Sequence, residues 1–362
     1  MVHLFRRPKS VFLQRLFKNR GAIPGLILIC CAVLLAVFAY FLAPDHSPNA
    51  NRIIPEIGSK KPGFNILLLK VKRDTRIEES GFFERMINGT EDTYTYIPVV
   101  SYSFKKDSII YQKFVDEGIT ERKAIASSLS ASQHCISTTF YLGTDKFGRD
   151  ILSRLIIGSR ISLEVGLIAV LISLTIGIAL GSLAGYFGGR IDDIITWLIN
   201  VIWSIPTLLL VFAITLVLGK GFWQVFIAVG LTMWVNVARL VRGQVLSIRE
   251  LEYVEAARAL GYQPGRIIFK HILPNILGPV MVISAGNFAS AIVIEAGLSF
   301  LGVGVQPPQP SWGLMIKENY NFIITHNPML ALAPGIAIML LVLSFNLLGN
   351  GLRDALNVKG AT

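Results

Sequence analysis

The run from Ala22 to Leu42 carries no charged residue, and at about 1.5 Å per residue it is long enough to cross a bilayer core of about 30 Å. Comparable apolar stretches recur through the C-terminal half. A chain that is 52% hydrophobic and 16% charged has more apolar surface than a soluble fold of this size buries, so an integral membrane protein is predicted. The net charge of +11 points to membrane orientation rather than nucleic acid. Arg6, Arg7, Lys9, Arg15, Lys18 and Arg20 precede the first apolar run with no acid among residues 1–21, which predicts a cytoplasmic N-terminus. A cleaved signal peptide has a shorter apolar region, about 7–15 residues, and a small-x-small site. Neither is present, and the run is read as a retained anchor over 22–42.

From about 43 to 142 the composition becomes that of a soluble segment, with Lys and Arg mixed among Asp and Glu. A small extracytoplasmic α+β insert is expected, with a strand around Thr93–Tyr102 and a helix over Glu121–Ala131. Residues 143–160 are expected to form an interfacial elbow helix, capped by Thr144 or Asp145. The core, 161–349, holds further spans at about 161–187, 194–218, 222–241, 280–301 and 329–348, and 350–362 is a cytoplasmic tail. In the second span Gly177, Gly181 and Gly185 form a small-x-x-x-small ladder that lets another helix approach closely. Pro206 predicts a kink in the third span, with Ser204 beside it as a candidate for satisfying freed backbone groups or lining a path. Glu295 is the best candidate for a buried charge, in a hydrogen-bonding or a gating role.

The stretch Glu250–Pro279 is a polar, basic interruption of this apolar half. Arg239, Arg242, Arg249, Arg258, Arg266 and Lys270 outnumber Glu250, Glu252 and Glu255, which predicts a cytoplasmic loop over 249–279. Glu252–Leu260 has helical composition and Gly261 stands where that helix stops. Pro264 opens a second short segment, which Pro274, Gly278 and Pro279 are expected to end. The run Glu255-Ala256-Ala257-x3-Gly261, followed thirteen residues later by Pro274, resembles the EAA loop of permease subunits of ABC importers. His271-Ile272-Leu273-Pro274-Asn275, and Gly143-Thr144-Asp145-x-x-Gly148-Arg149-Asp150 ahead of the second span, are similar to peptide permeases in particular.

The resemblance implies an all-α integral membrane fold of six transmembrane helices of the type I ABC importer permease kind. It implies a transmembrane subunit that translocates peptides by alternating access, paired with a second permease subunit as a heterodimer. Two P-loop ATPase subunits and an external substrate-binding protein complete the implied assembly. Glu255, Ala256, Ala257, Gly261 and Pro274 are implied to form the ATPase-coupling loop. The chain itself has no Gly-x4-Gly-Lys-Ser/Thr run, so ATP hydrolysis is expected on the partner. No His-Glu-x-x-His, Gly-x-Ser-x-Gly or metal-spaced Cys pair occurs, so neither an enzyme, a cofactor nor a metal is expected. Two alternatives stay open: the same assembly importing nickel, glutathione or another small solute, and an ion-coupled carrier using Glu164 and Glu295.

Overall fold

The computed structural model describes residues 14–73, 81–105, 108–126, 135–219, 221–324 and 327–356. The basic cluster at Arg6–Lys9, Lys220 and residues 357–362 of the tail lie outside these residues. The elements are α1 (Ala22–Val37), α2 (Ala39–Leu42), β1 (Phe64–Lys72), α3 (Phe82–Asn88), β2 (Tyr94–Lys105), β3 (Ser108–Asp116), β4 (Ile119–Ala126) and β5 (Cys135–Phe140). They are followed by α4 (Ile151–Phe187), α5 (Gly189–Trp203), α6 (Thr207–Leu218), α7 (Phe222–Ile248), α8 (Glu252–Ala259), α9 (Pro264–Ile267), α10 (Leu273–Leu301), α11 (Trp312–Asn319) and α12 (Met329–Leu356). The chain divides into two compact units. One comprises Met1–Ala32, Ser162–Gln306 and Ile338–Thr362, the other Val33–Ile161 and Pro307–Ala337.

The second unit holds a five-stranded antiparallel sheet in the order β4-β3-β2-β1-β5. Alternation along the strands sends Ile66, Leu68, Phe114 and Phe140 to one face, against Ile54 and Ile57. Leu69, Val99, Ile109 and Tyr111 go to the other. The helix expected over Glu121–Ala131 is instead strand β4, and residues 127–131 lie outside the described residues. Glu121, Arg122, Lys123 and Ala124 favour helix when taken alone. Gly118, at φ +81°, turns the chain back tightly, and Lys113 then faces Glu121 across the ladder. Cross-strand pairing outweighs local propensity there.

Residues 151–160 do not form a separate elbow. They are the first turns of α4, a single helix of 37 residues. Its cap is neither Thr144 nor Asp145 but Asp150, whose carboxylate accepts the Ser153 backbone N–H at 2.8 Å. Asp145 is drawn away by the loop, accepting from the N–H groups of Phe147 and Arg149.

Among the described residues four helices are long and apolar enough to cross a membrane: α4, α7, α12, and the continuous stretch Pro264–Leu301. The α5–α6 pair, bent by 92°, makes a fifth if it is one span, while α1 is a shorter apolar helix of 16 residues. The kink expected at Pro206 is thus a right-angle break.

The candidate coupling loop, helix ladder and cavity

Within the first unit, the loop predicted to carry coupling rests on two long helices. The α7 helix runs unbroken from Phe222 to Ile248, and after a turn Leu251 leads into α8. The end of α8 is a paired C-cap: Gly261 N–H donates to the Arg258 carbonyl at 3.0 Å and Tyr262 N–H to the Ala257 carbonyl at 3.2 Å. That arrangement puts Gly261 at φ +77°, the left-handed region glycine enters without penalty. A Cβ there would meet no atom of this chain within 4 Å. A side chain would meet no obstacle inside the chain, and what the position demands is the backbone conformation.

The second short segment is not a separate helix. Pro264 starts α9, a π-helical turn spans Ile268–Ile272, and α10 continues to Leu301 through Pro274 and Pro279. The Leu273 N–H reaches back five residues to the Ile268 carbonyl. A regular helix would press the Pro274 ring against the carbonyl four residues earlier, and the extra residue of the π turn relieves that contact. The Asn275 amide donates to the His271 carbonyl at 2.7 Å and to the Tyr253 hydroxyl at 3.0 Å, tying α10 to α8.

Val254 and Ala257 of α8 are buried with Val241 and Val245 of α7 and with Ile267, Ile268, Ile272 and Ile276. Ala257 thus faces the protein's own core. Glu255, Ala256 and Gly261 are exposed, and so are Tyr253, Leu260 and Phe269, the last two 74% and 72% accessible. These three apolar residues extend the exposed face beyond what sequence reasoning named. Leu260, apolar at the mouth of a glycine cap, was the available signal.

The three glycines of α4 lie against α7. A Cβ on Gly177 would stand 2.5 Å from Val237 Cβ, on Gly181 2.6 Å from the Ala238 carbonyl oxygen, and on Gly185 2.9 Å from that of Arg242. The Arg249 guanidinium donates to the Gly185 carbonyl at 2.9 Å, and Arg242 forms a two-pronged ion pair with Asp192 of α5. Gly181→Ala places its methyl against backbone, which cannot move aside as a side chain tip can. A destabilisation of about 1–3 kcal/mol is expected. Thermal unfolding of the purified protein checks it, and a variant melting with wild type would mean that the helices separate freely here.

Beside the break between α5 and α6 is a cavity of about 410 Å³, lined among others by Trp203, Thr232, Asn236, Ser290 and Asn346. The Arg239 guanidinium lies 3.7 Å over the Trp203 ring and donates to Asn200 Oδ1 at 3.3 Å. Ser204 closes α5, its hydroxyl donating to the Val201 carbonyl at 2.7 Å. Glu295 is 1% exposed and accepts from the Ser299 hydroxyl at 2.6 Å, while Ser299 Oγ in turn accepts the Val305 N–H at 3.1 Å. Ala289, Ser290, Val293 and Ile294 of α10 line the cavity; Glu295 ties the end of α10 to the following loop instead.

Residues 177–359 match the family model described as the binding-protein-dependent transport system inner membrane component. The chain belongs to that family. Residues 8–61 match a second model, the N-terminal transmembrane domain of oligopeptide transport permease C. The dipeptide transport system permease protein DppC of Alkalihalophilus pseudofirmus is 45% identical over 62% of this chain and 73% of its own length. The glutathione transport system permease protein GsiD of Pectobacterium atrosepticum is 43% identical over 62% and 74%, and the oligopeptide transport system permease protein OppC of Bacillus subtilis 41% over 62% and 73%. A chain of the MetNI methionine ABC transporter aligns with 57% of this one and 97% of its own length, at 20% identity and a TM-score of 0.47. The protein is an integral inner-membrane permease component, and the ion-coupled carrier reading is set aside.

Proposed function

We propose that this chain is one of two permease subunits of an ATP-driven importer, that it carries peptides inward, and that α8 is its contact with a separate ATP-hydrolysing subunit. The observation that carries the reading is the construction of the loop. A short helix with an exposed apolar and acidic face is held by a buried core on the ends of α7 and α10, so force applied at α8 moves both long helices together. In this reading Glu255, Ala256, Tyr253, Leu260 and Gly261 form the docking face, while Ala257 and Pro274 hold it in place from within. The chain crosses the membrane six times, with α1 as the first crossing, the α5–α6 pair as one, and both termini cytoplasmic.

An external binding protein delivers the cargo, and the cavity beside Trp203 forms part of the path. Relatives named for dipeptide and oligopeptide transport support a peptide cargo; the one named for glutathione transport accords with the alternative. The glycine ladder keeps α4 and α7 together as the path opens and closes.

Gentle purification of the tagged chain, with mass identification of what accompanies it, tests the assembly. A second permease and P-loop ATPases are expected, with Ala256→Cys crosslinking to the ATPase; a chain that emerges alone even after crosslinking defeats the reading. Ser290→Phe, which fills the cavity, is expected to stop peptide uptake in proteoliposomes while leaving the assembly intact. Unchanged uptake would remove the cavity from the path.

A further inference from the structure

The sheet and α3 lie between the two ranges the family models match, and α3 has an unusual surface for so short a helix. Phe82, Phe83 and Ile87 are 62%, 72% and 55% exposed. We propose that α3 is an interfacial foot, seating Phe82, Phe83 and Ile87 in the boundary between headgroups and acyl chains of the bilayer.

The level at which α3 is held argues for lipid as the occupant. Phe82 stacks on Phe41 of α2, centroids 5.4 Å apart. Phe38, Phe41 and Leu42 are themselves exposed and continue the apolar run of α1, so the patch extends an exposed apolar surface already long enough to enter a bilayer. The other end of α3 is fastened by Arg160 of α4, whose Nη1 donates to the carbonyls of Met86 and Ile87, each at 3.0 Å.

That guanidinium also lies 5.2 Å from the Tyr40 ring centroid. From Arg160 to Phe187, α4 rises about 40 Å at about 1.5 Å per residue, against about 30 Å of hydrocarbon. Arg160 therefore stands at headgroup level when the helix spans, and α3 is at that level with it.

The attachment is close on the remaining side too. Gly89 follows α3 at φ +80°, and a Cβ there would meet the His46 carbonyl oxygen at 2.6 Å and the Tyr40 ring at 2.7 Å. Thr90 N–H donates to the same His46 carbonyl at 2.8 Å. A helix pinned at both ends beside two apolar helices, with its aromatic side outward, has the amphipathic form that lies in a membrane interface. Phenylalanine is among the residues that form the apolar face of such helices.

The test uses the full chain in its assembled complex, in lipid nanodiscs, with Cys30, Cys31 and Cys135 replaced by serine. A spin label is placed at Phe83→Cys, at Ile87→Cys as a second probe, and at Phe104→Cys as the control. Phe104 is also an exposed aromatic, but it lies ten residues along β2 from Tyr94, about 33 Å at about 3.3 Å per residue. Oxygen collisions are expected to exceed those of a water-soluble nickel chelate at positions 83 and 87, with the order reversed at 104. Chelate access at 83 and 87 equal to that at 104 overturns the proposal. So does protection that develops only when a binding protein is added, which would assign the patch to a protein partner.

Discussion

Glu318→Ala is expected to cost about 3–5 kcal/mol of stability, the usual effect of removing one partner from a buried ion pair. Glu318 of α11 takes Arg149 Nη2 at 2.8 Å and stands 3.6 Å from Arg154 Nη2. Arg149 is 3% and Arg154 0% exposed, and Asp145, at 2.6 Å from Arg149 Nε, balances only one of them. Without Glu318, Arg154 is left as a buried cation with no ion pair at close range among the described residues, Asp145 and Asp45 acting on it only from farther off. Glu318→Gln keeps an acceptor oxygen but loses the charge, and is expected to fall between alanine and wild type. Thermal unfolding in nanodiscs gives the order. If the alanine variant melts with wild type, water reaches Arg154 and the cluster is not the internal tie between α11 and the start of α4 that its burial implies.

Gly261→Val is expected to leave the protein in the membrane while lowering uptake by about tenfold or more, the equivalent of about 1.4 kcal/mol or more of docking energy. The left-handed backbone costs an L-residue about 1–2 kcal/mol, and a β-branched side chain tolerates it worst. Nothing in this chain stands where the new side chain would go, so the fold as a whole has no reason to fail. What changes is the cap, and with it the direction in which Leu260 and Tyr262 leave α8. Gly261→Asn, which adopts this conformation more readily, is expected to retain more activity than valine. Uptake and ATP hydrolysis measured together on the reconstituted assembly separate uncoupling from simple loss of protein. Wild-type uptake by Gly261→Val would show that the cap does not position the proposed docking face.

The positions legible in the sequence were those whose meaning is local. Gly261 stops α8 because a helix ends on a residue of positive φ. The strand around Thr93–Tyr102 formed as β2 because β-branched and aromatic residues suit a pleated, half-buried surface. The Glu255-Ala256-Ala257 run falls within α8, but its three residues do not share a face: Ala257 is buried while its two neighbours are exposed. A motif records which residues occur, and helical rotation decides which way each points.

Other features were misread for the same kind of reason. Pro274 and Pro279 looked like breaks, yet a π turn absorbs the first and the helix carries on through both. Glu121–Ala126 looked helical until a partner strand lay beside it. The exposed apolar side of α3 had no sequence signal at all, since Phe82 and Phe83 read equally well as core.

By itself the sequence determined that the chain lives in a membrane, where its long uncharged runs lie, and which polar interruption resembles a coupling loop. These follow from composition and from residues whose backbone preference is intrinsic. Only the tertiary structure decided that α4 begins at Ile151, that its glycines meet α7, that the chain bends by 92° between α5 and α6, and that Glu295 is tied to Ser299 away from the cavity wall. Each of these depends on what stands opposite a residue. Contact between segments far apart in the chain is set by packing and pairing, which no local preference encodes.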